Sequence, residues 1–121
     1  MRYQVNFLED KGIVFGKIED AITLELAIAY LSEASELAAA NGAKKILTDT
    51  RTSNVDINDE GIEILSRSLE ELGVTPDLKR AVLIRDDVKF FKLWENLNLK
   101  EGRAQLKLFI EEDLAFDWLG K

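Results

Sequence analysis

Polar and apolar residues alternate from the second position of the chain. Tyr3, Val5 and Phe7 interleave with Arg2, Gln4 and Asn6, the period of a strand with one buried and one wet face. Glu9-Asp10-Lys11-Gly12 reads as a hairpin-type turn and residues 13–18 as the return strand, so the chain opens on a β-hairpin. The period then lengthens. Leu24, Ala27, Ile28, Leu31, Ala34 and Ala38 recur on one helical face, with Glu25, Ser32, Glu33 and Glu36 turned away from it. Thr23 is placed to cap this helix. Asn41-Gly42 is placed to stop it, because glycine enters the left-handed conformation at low cost.

Residues 45–48 form a short apolar strand leading to Asp49, and a polar stretch from Thr50 to Asp56 follows it. Asn58 or Asp59 caps a second helix that buries Ile62, Leu65, Leu69 and Leu72 and ends at Gly73. Pro76 falls in the next loop. Ala81-Val82-Leu83-Ile84 is continuously apolar, the mark of a strand covered on both faces. Arg85-Asp86-Asp87 ends it and caps a helix carrying Phe90, Phe91, Trp94 and Leu97. After Gly102 a last strand spans residues 105–110, with Leu106, Leu108 and Ile110 on one face. Glu111-Glu112-Asp113 puts negative charge on the first turn of a closing helix that buries Leu114, Ala115, Trp118 and Leu119. Trp118 reads as the core anchor of that helix. The order is β-β-α-β-α-β-α-β-α. With right-handed crossovers this predicts a single α/β sandwich domain over residues 1–121: a mixed, mostly parallel sheet with an N-terminal antiparallel hairpin.

Composition narrows the chemistry. The chain has 121 residues, 46% hydrophobic and 32% charged, which suits one folded domain. Its 16 basic and 23 acidic residues give a net charge of -7, which argues against a nucleic-acid backbone or an anionic membrane as partner. There is no Cys and no His. Disulfides, thiolate nucleophiles, Ser-His-Asp catalysis and Cys- or His-ligated metals are therefore excluded. The opening residues lack the apolar core of a signal peptide. The longest mostly apolar stretch, residues 22–30, is too short to span a bilayer and contains Glu25. A cytoplasmic protein without membrane insertion is expected, with no cofactor or metal.

Three groups of residues carry candidate sites. The loop Asp49-Thr50-Arg51-Thr52-Ser53-Asn54 lies at the carboxyl end of a strand and ahead of a helix, where open α/β sheets bind ligands. Arg51 suits a carboxylate or phosphate. The competing reading pairs Asp49 with Arg51 and spends Thr50, Thr52 and Ser53 on turn hydrogen bonds. The acidic group Asp56, Asp59, Glu60 and Glu63 offers oxygen ligands, but it lacks a calcium-loop spacing and suits a helix start on dipole grounds. Phe90 and Phe91 are adjacent, so one helix face cannot bury both. With Trp94 they line either the core, a partner contact or an apolar-ligand cavity. Lys44-Lys45 and Lys79-Arg80 read as solvated charges where strands begin.

The opening from Tyr3 to Gly16, the strand Lys45-Ile46-Leu47-Thr48-Asp49-Thr50-Arg51, and the ending Leu106-Lys107-Leu108-Phe109-Ile110-Glu111-Glu112-Asp113-Leu114-Ala115-Phe116-Asp117-Trp118-Leu119 together carry a resemblance. In order and spacing they resemble the STAS domain, and more closely the SpoIIAA-like family of small bacterial proteins sharing that fold. The resemblance implies regulation by protein contact, since STAS members switch partners through a phosphorylated Ser in an Asp-Ser-Ser-Gly motif at the second helix. The matching stretch here is Asn58-Asp59-Glu60-Gly61, with Glu60 in place of that Ser. The expectation is a non-enzymatic STAS-like regulatory or interaction module, homodimeric or bound to a protein partner, without serine phospho-switching. The rival is a small carrier for an apolar, lipid-like ligand, suggested by the likeness of such folds to lipid carriers. The residues assigned to either role are Asp49, Arg51, Thr52, Ser53, Asn58, Asp59, Glu60, Phe90, Phe91 and Trp94.

Overall fold

The computed structural model describes residues 3–54, 56–75, 77–85 and 105–120. The expected helix with Phe90, Phe91, Trp94 and Leu97, its cap at Asp86-Asp87, Gly102 and the loop residue Pro76 lie outside the described residues. Five strands, β1 (Tyr3–Leu8), β2 (Ile13–Ile18), β3 (Lys45–Asp49), β4 (Lys79–Leu83) and β5 (Leu106–Phe109), form one sheet in the order β1-β2-β3-β4-β5. β1 pairs antiparallel with β2, and every later pair is parallel. The described helices are α1 (Leu24–Ala40), α2 (Asp59–Ser68) and α3 (Glu112–Leu119). The predicted mixed sheet with an antiparallel opening hairpin is the observed one.

The local signals act as their chemistry requires. The Thr23 hydroxyl accepts the Leu26 N–H at 3.2 Å and starts α1. Gly42, at φ 65°, ends it: the Gly42 N–H reaches the Ala39 carbonyl at 3.3 Å and the Ala43 N–H the Ala38 carbonyl at 2.8 Å. Asn58 starts α2 by accepting the Gly61 N–H at 2.8 Å. The helical path past Ser68 closes at Gly73, where the Val74 N–H reaches back to the Leu69 carbonyl at 2.9 Å.

Strand alternation sorts the sheet into two faces. Since the parallel strands follow one another across the sheet, right-handed crossovers carry α1 and α2 over the same face. There Val14 and Ile18 of β2, Ile46 of β3, Val82 of β4 and Leu106 of β5 pack with Leu26, Tyr30 and Ala34 of α1 and Ile62 and Leu65 of α2. On the opposite face Ile13, Leu47, Ala81 and Leu83 pack with Ala115 and Leu119 of α3. β4 is covered on both sides, as its unbroken apolar run predicts.

Several details of the predicted packing are corrected, among them Leu72, which lies beyond the end of α2 and is half-buried. The inward face of α1 includes Leu26, Tyr30 and Ser35, while Leu24 and Ile28 are only half-buried. The helix is apolar nearly all round its first turns, so spacing alone places its buried stripe poorly. Ile110 is 62% exposed because β5 ends at Phe109 and the alternation ends with it. Leu114 is 53% exposed because α3 turns its Ala115–Leu119 stripe to the sheet. Trp118 is half-buried: its ring packs 5.9 Å from that of Phe109.

Tyr30 crosses β2 at Gly16, and its hydroxyl meets the Thr48 hydroxyl on β3 at 2.6 Å. A Cβ at Gly16 would overlap the Tyr30 hydroxyl oxygen, so no larger residue fits while the ring stays in place. Gly16→Ala is expected to destabilise the fold by about 1–3 kcal/mol, the usual cost of overpacking. Combining it with Tyr30→Phe, which deletes the nearest atom, should cost less than the sum of the two changes. Denaturant midpoints for both single variants and the double variant check this. Strictly additive costs would show that Tyr30 does not set the requirement for glycine.

Candidate functional site

The loop after β3 is held by its own side chains. Asp49 is 6% exposed and accepts three hydrogen bonds from Arg51, from the backbone N–H, Nε and Nη2, each at 3.0 Å. The Thr50 hydroxyl donates to the Leu83 carbonyl at 2.7 Å, and the Ser53 hydroxyl to the Thr50 carbonyl at 3.0 Å. Arg85 Nη2 donates to the Ser53 carbonyl at 2.8 Å. The Ile22 N–H bonds the Asn54 carbonyl and the Asp56 N–H the Ile22 carbonyl, each at 2.8 Å, which tie the loop to the start of α1. Thr52 is exposed.

This arrangement also sets the charge states. Burial pushes the Asp49 carboxyl up, but the hydrogen bonds and charge of Arg51, with Lys17 alongside, outweigh it and hold its pKa below the ordinary 3.8. The hydrogen bond to Asp49 raises the Arg51 guanidinium above its usual value in return. Arg51 Nη2 also lies 3.6 Å from Glu112 at the start of α3. That contact is half solvated and contributes little to stability.

The other predicted residues do not converge on this loop. Asn58 is spent on its cap, and Asp59 and Glu60 are exposed on the first turn of α2. None of the three bonds to Asp49 or Arg51 among the described residues. Phe90, Phe91 and Trp94 lie outside the described residues. The dibasic pair that opens β4 departs from its sequence reading. Lys79 is half-buried: its ammonium donates to the Trp118 carbonyl at 2.8 Å and sits 4.6 Å from the centre of the Trp118 ring. It thereby meets the negative end of the α3 dipole. Arg80 is 3% exposed. The reason is register: Arg80 stands opposite Ile46 of β3 and Leu106 of β5, on the face that α1 and α2 cover.

That face holds a cavity of about 50 Å³ between α1, α2 and the sheet. Its walls are aliphatic, chiefly Ile18, Ile22, Ile46, Ile62, Leu65 and Val82, and Tyr30, Thr48, Thr50 and Arg80 complete the lining. Burial lowers the Arg80 guanidinium to about 10, so it stays charged at neutral pH. Burial likewise pushes the Tyr30 phenol well up, only partly offset by the Thr48 hydrogen bond, so it stays neutral. Neither Tyr30 nor Arg80 figures among the candidate residues read from the sequence. The one signal for Arg80 is a cation at a position where alternation would place an inward residue.

No family model and no curated protein matches the chain. Its structure does match that of a solved protein. The fold is SpoIIAA-like: it superposes with a TM-score of 0.61 on the crystal structure of an uncharacterized DUF3478-family protein from Shewanella loihica PV-4, described as having a SpoIIAA-like fold. The match covers 97% of this chain and 91% of that chain at 17% identity, and so speaks for the fold alone. No helix among the described residues is long and apolar enough to cross a membrane.

The depressed Asp49 pKa gives a pH prediction. The unfolded carboxyl binds its proton more readily than the native one, so the stabilisation is complete above pH 3.8 and is lost as pH falls through the native value. Asp49→Asn should lower stability at neutral pH and flatten the acid limb below pH 3.8. Thermal unfolding of both proteins across that range checks it. An unchanged acid limb would mean that other carboxylates carry the dependence.

Proposed function

We propose that the protein is a non-enzymatic binding domain that holds a small, largely apolar ligand between α1, α2 and the sheet. The cavity carries this reading: it is walled by aliphatic side chains and carries few polar groups, the usual make-up of a small-molecule site. The state of the loop after β3 supports the non-enzymatic part. Asp49 and Arg51 are engaged with each other, and Thr50 and Ser53 with backbone carbonyls. At about 10–15 Å³ per water-sized unit the cavity takes a compact group of a few atoms, and a long acyl chain is excluded without repacking. Native mass spectrometry of gently purified protein tests the proposal. A retained small organic mass is expected, absent from an Ala27→Leu variant whose larger side chain fills the cavity. A wild-type chain that stays bare, even after incubation with short-chain alcohols and acids, would overturn it.

A second reading, a regulatory module acting by protein contact or homodimerisation, is favoured by a different observation. Ile110 and Leu114 are both exposed where β5 passes into α3, and Glu60 stands exposed on the first turn of α2, where the resemblance would place a phosphorylated serine. Sedimentation velocity should then show a dimer that Leu114→Glu disperses. A monomer at every concentration would remove the self-association form of this reading.

A further inference from the structure

A strand at the edge of a sheet presents a row of backbone N–H and C=O groups, and folded proteins usually guard such rows with charge, proline, a bulge or short length. The edges of the described sheet are β1 and β5. β5 is guarded: it has four residues, and Lys107 stands exposed within it. β1 carries no such guard. It runs for six residues, Tyr3-Gln4-Val5-Asn6-Phe7-Leu8, in an unbroken register against β2 that leaves no bulge. It has no proline and no charged residue, in a chain that is 32% charged. Every other described strand contains a lysine. Val5 and Phe7 pack against the core on the α1 face yet are only half-buried, as befits a row with a strand on one side.

We infer that β1 pairs antiparallel with β1 of a second copy about a two-fold axis at Val5, so that the two sheets run on as one. The inference goes beyond both readings above, since β1 is the sheet edge remote from β5, after which Ile110 and Leu114 stand. A two-fold interface sets one patch against itself, so the patch has to complement its own sequence. β1 does so. With Val5 of one copy opposite Val5 of the other, Gln4 stands opposite Asn6 and Asn6 opposite Gln4. Alternation keeps the amides on one face and Val5 and Phe7 on the α1 face in both copies, whereas a slip by one residue would mix the faces. Each amide side chain both donates and accepts, so the facing pairs answer each other. No charge repeats across the axis, which favours this contact in a chain of net charge -7 whose copies repel. Backbone pairing alone would accept any extended segment; the match of Gln4 to Asn6 favours β1 itself.

Charges at positions 4 and 6 test the register, since both side chains are exposed. Gln4→Glu also faces Lys17 of its own sheet, which helps the variants to fold. Sedimentation velocity from micromolar to millimolar concentration should show a wild-type dimer. Gln4→Glu with Asn6→Glu sets like charges opposite each other twice, and is expected to raise the dissociation constant roughly tenfold. Gln4→Glu with Asn6→Lys sets opposite charges there and should restore the dimer. Thermal unfolding checks that each variant is folded. A wild-type monomer at millimolar concentration would overturn the inference and leave the edge to an extended segment of another protein. A dimer that the two glutamates leave intact would also overturn it, and Leu114→Glu then shows whether the Ile110–Leu114 patch holds that dimer. Equal weakening by both charge patterns would overturn the register at Val5. If the double-glutamate chain does not fold, amide hydrogen exchange on the wild-type chain decides: protection in β1 has to rise with protein concentration, and constant protection would overturn the pairing.

Discussion

The contact of Tyr30 with the sheet sets much of the architecture above it. Its ring lies over Gly16, where β2 has no side chain, and its hydroxyl ends on Thr48 one strand further in. A second aromatic, Tyr3 of β1, meets the same ring edge-on at 5.5 Å. α1 is thus referenced to three successive strands through one side chain, at a point fixed by sterics and by a short buried hydrogen bond. Because the phenol is too far from water to ionise at ordinary pH, the reference is insensitive to pH. The height at which α1 rides over the sheet, and with it the space left for the cavity, follows from this contact.

The two faces of the sheet are held by different means. Under α1 and α2 the packing is broad and includes a void. Under α3 it is a small apolar cluster finished by charge: Lys79 bonds to the last turn of the helix and covers the Trp118 ring, while Arg51 approaches its first turn. The α3 helix, Glu112–Leu119, is too short to persist alone. Its place depends on β4 and on the loop after β3, which are distant in sequence.

Much of the fold was legible in the residues, and the reason is local. Thr23, Asn58, Gly42 and Gly73 act within a few residues of themselves, so reading them requires no knowledge of the sheet. The parallel pairing of the later strands followed because a helix read between two strands makes a crossover connection, and such connections join parallel strands. The inward stripe of α1 was harder to read: between Leu24 and Leu31 only Glu25 is polar, so the pattern admits neighbouring phases and Tyr30 was passed over. α2, with apolar and charged sides sharply divided, gave Ile62, Leu65 and Leu69 as buried residues, while Leu72, beyond the helix end, is half-buried. The site was less legible than the fold. Asp49 and Arg51 were visible as a pair by proximity in the chain. Arg80 was not, because a dibasic step before a strand has the same composition whether its second member faces water or the core, and only pairing with Ile46 and Leu106 separates the two.

The order β1-β2-β3-β4-β5 has a consequence for how the molecule is assembled. Each described strand joins the sheet beside the one before it, so none has to be inserted between two strands already paired. The ladder can lengthen from the hairpin outward as the polypeptide emerges, every addition closing a loop of modest span. The growing edge is a row of open backbone groups at each stage, and each new strand covers the edge of the one before it. Such an order lets the sheet be built in the direction of synthesis.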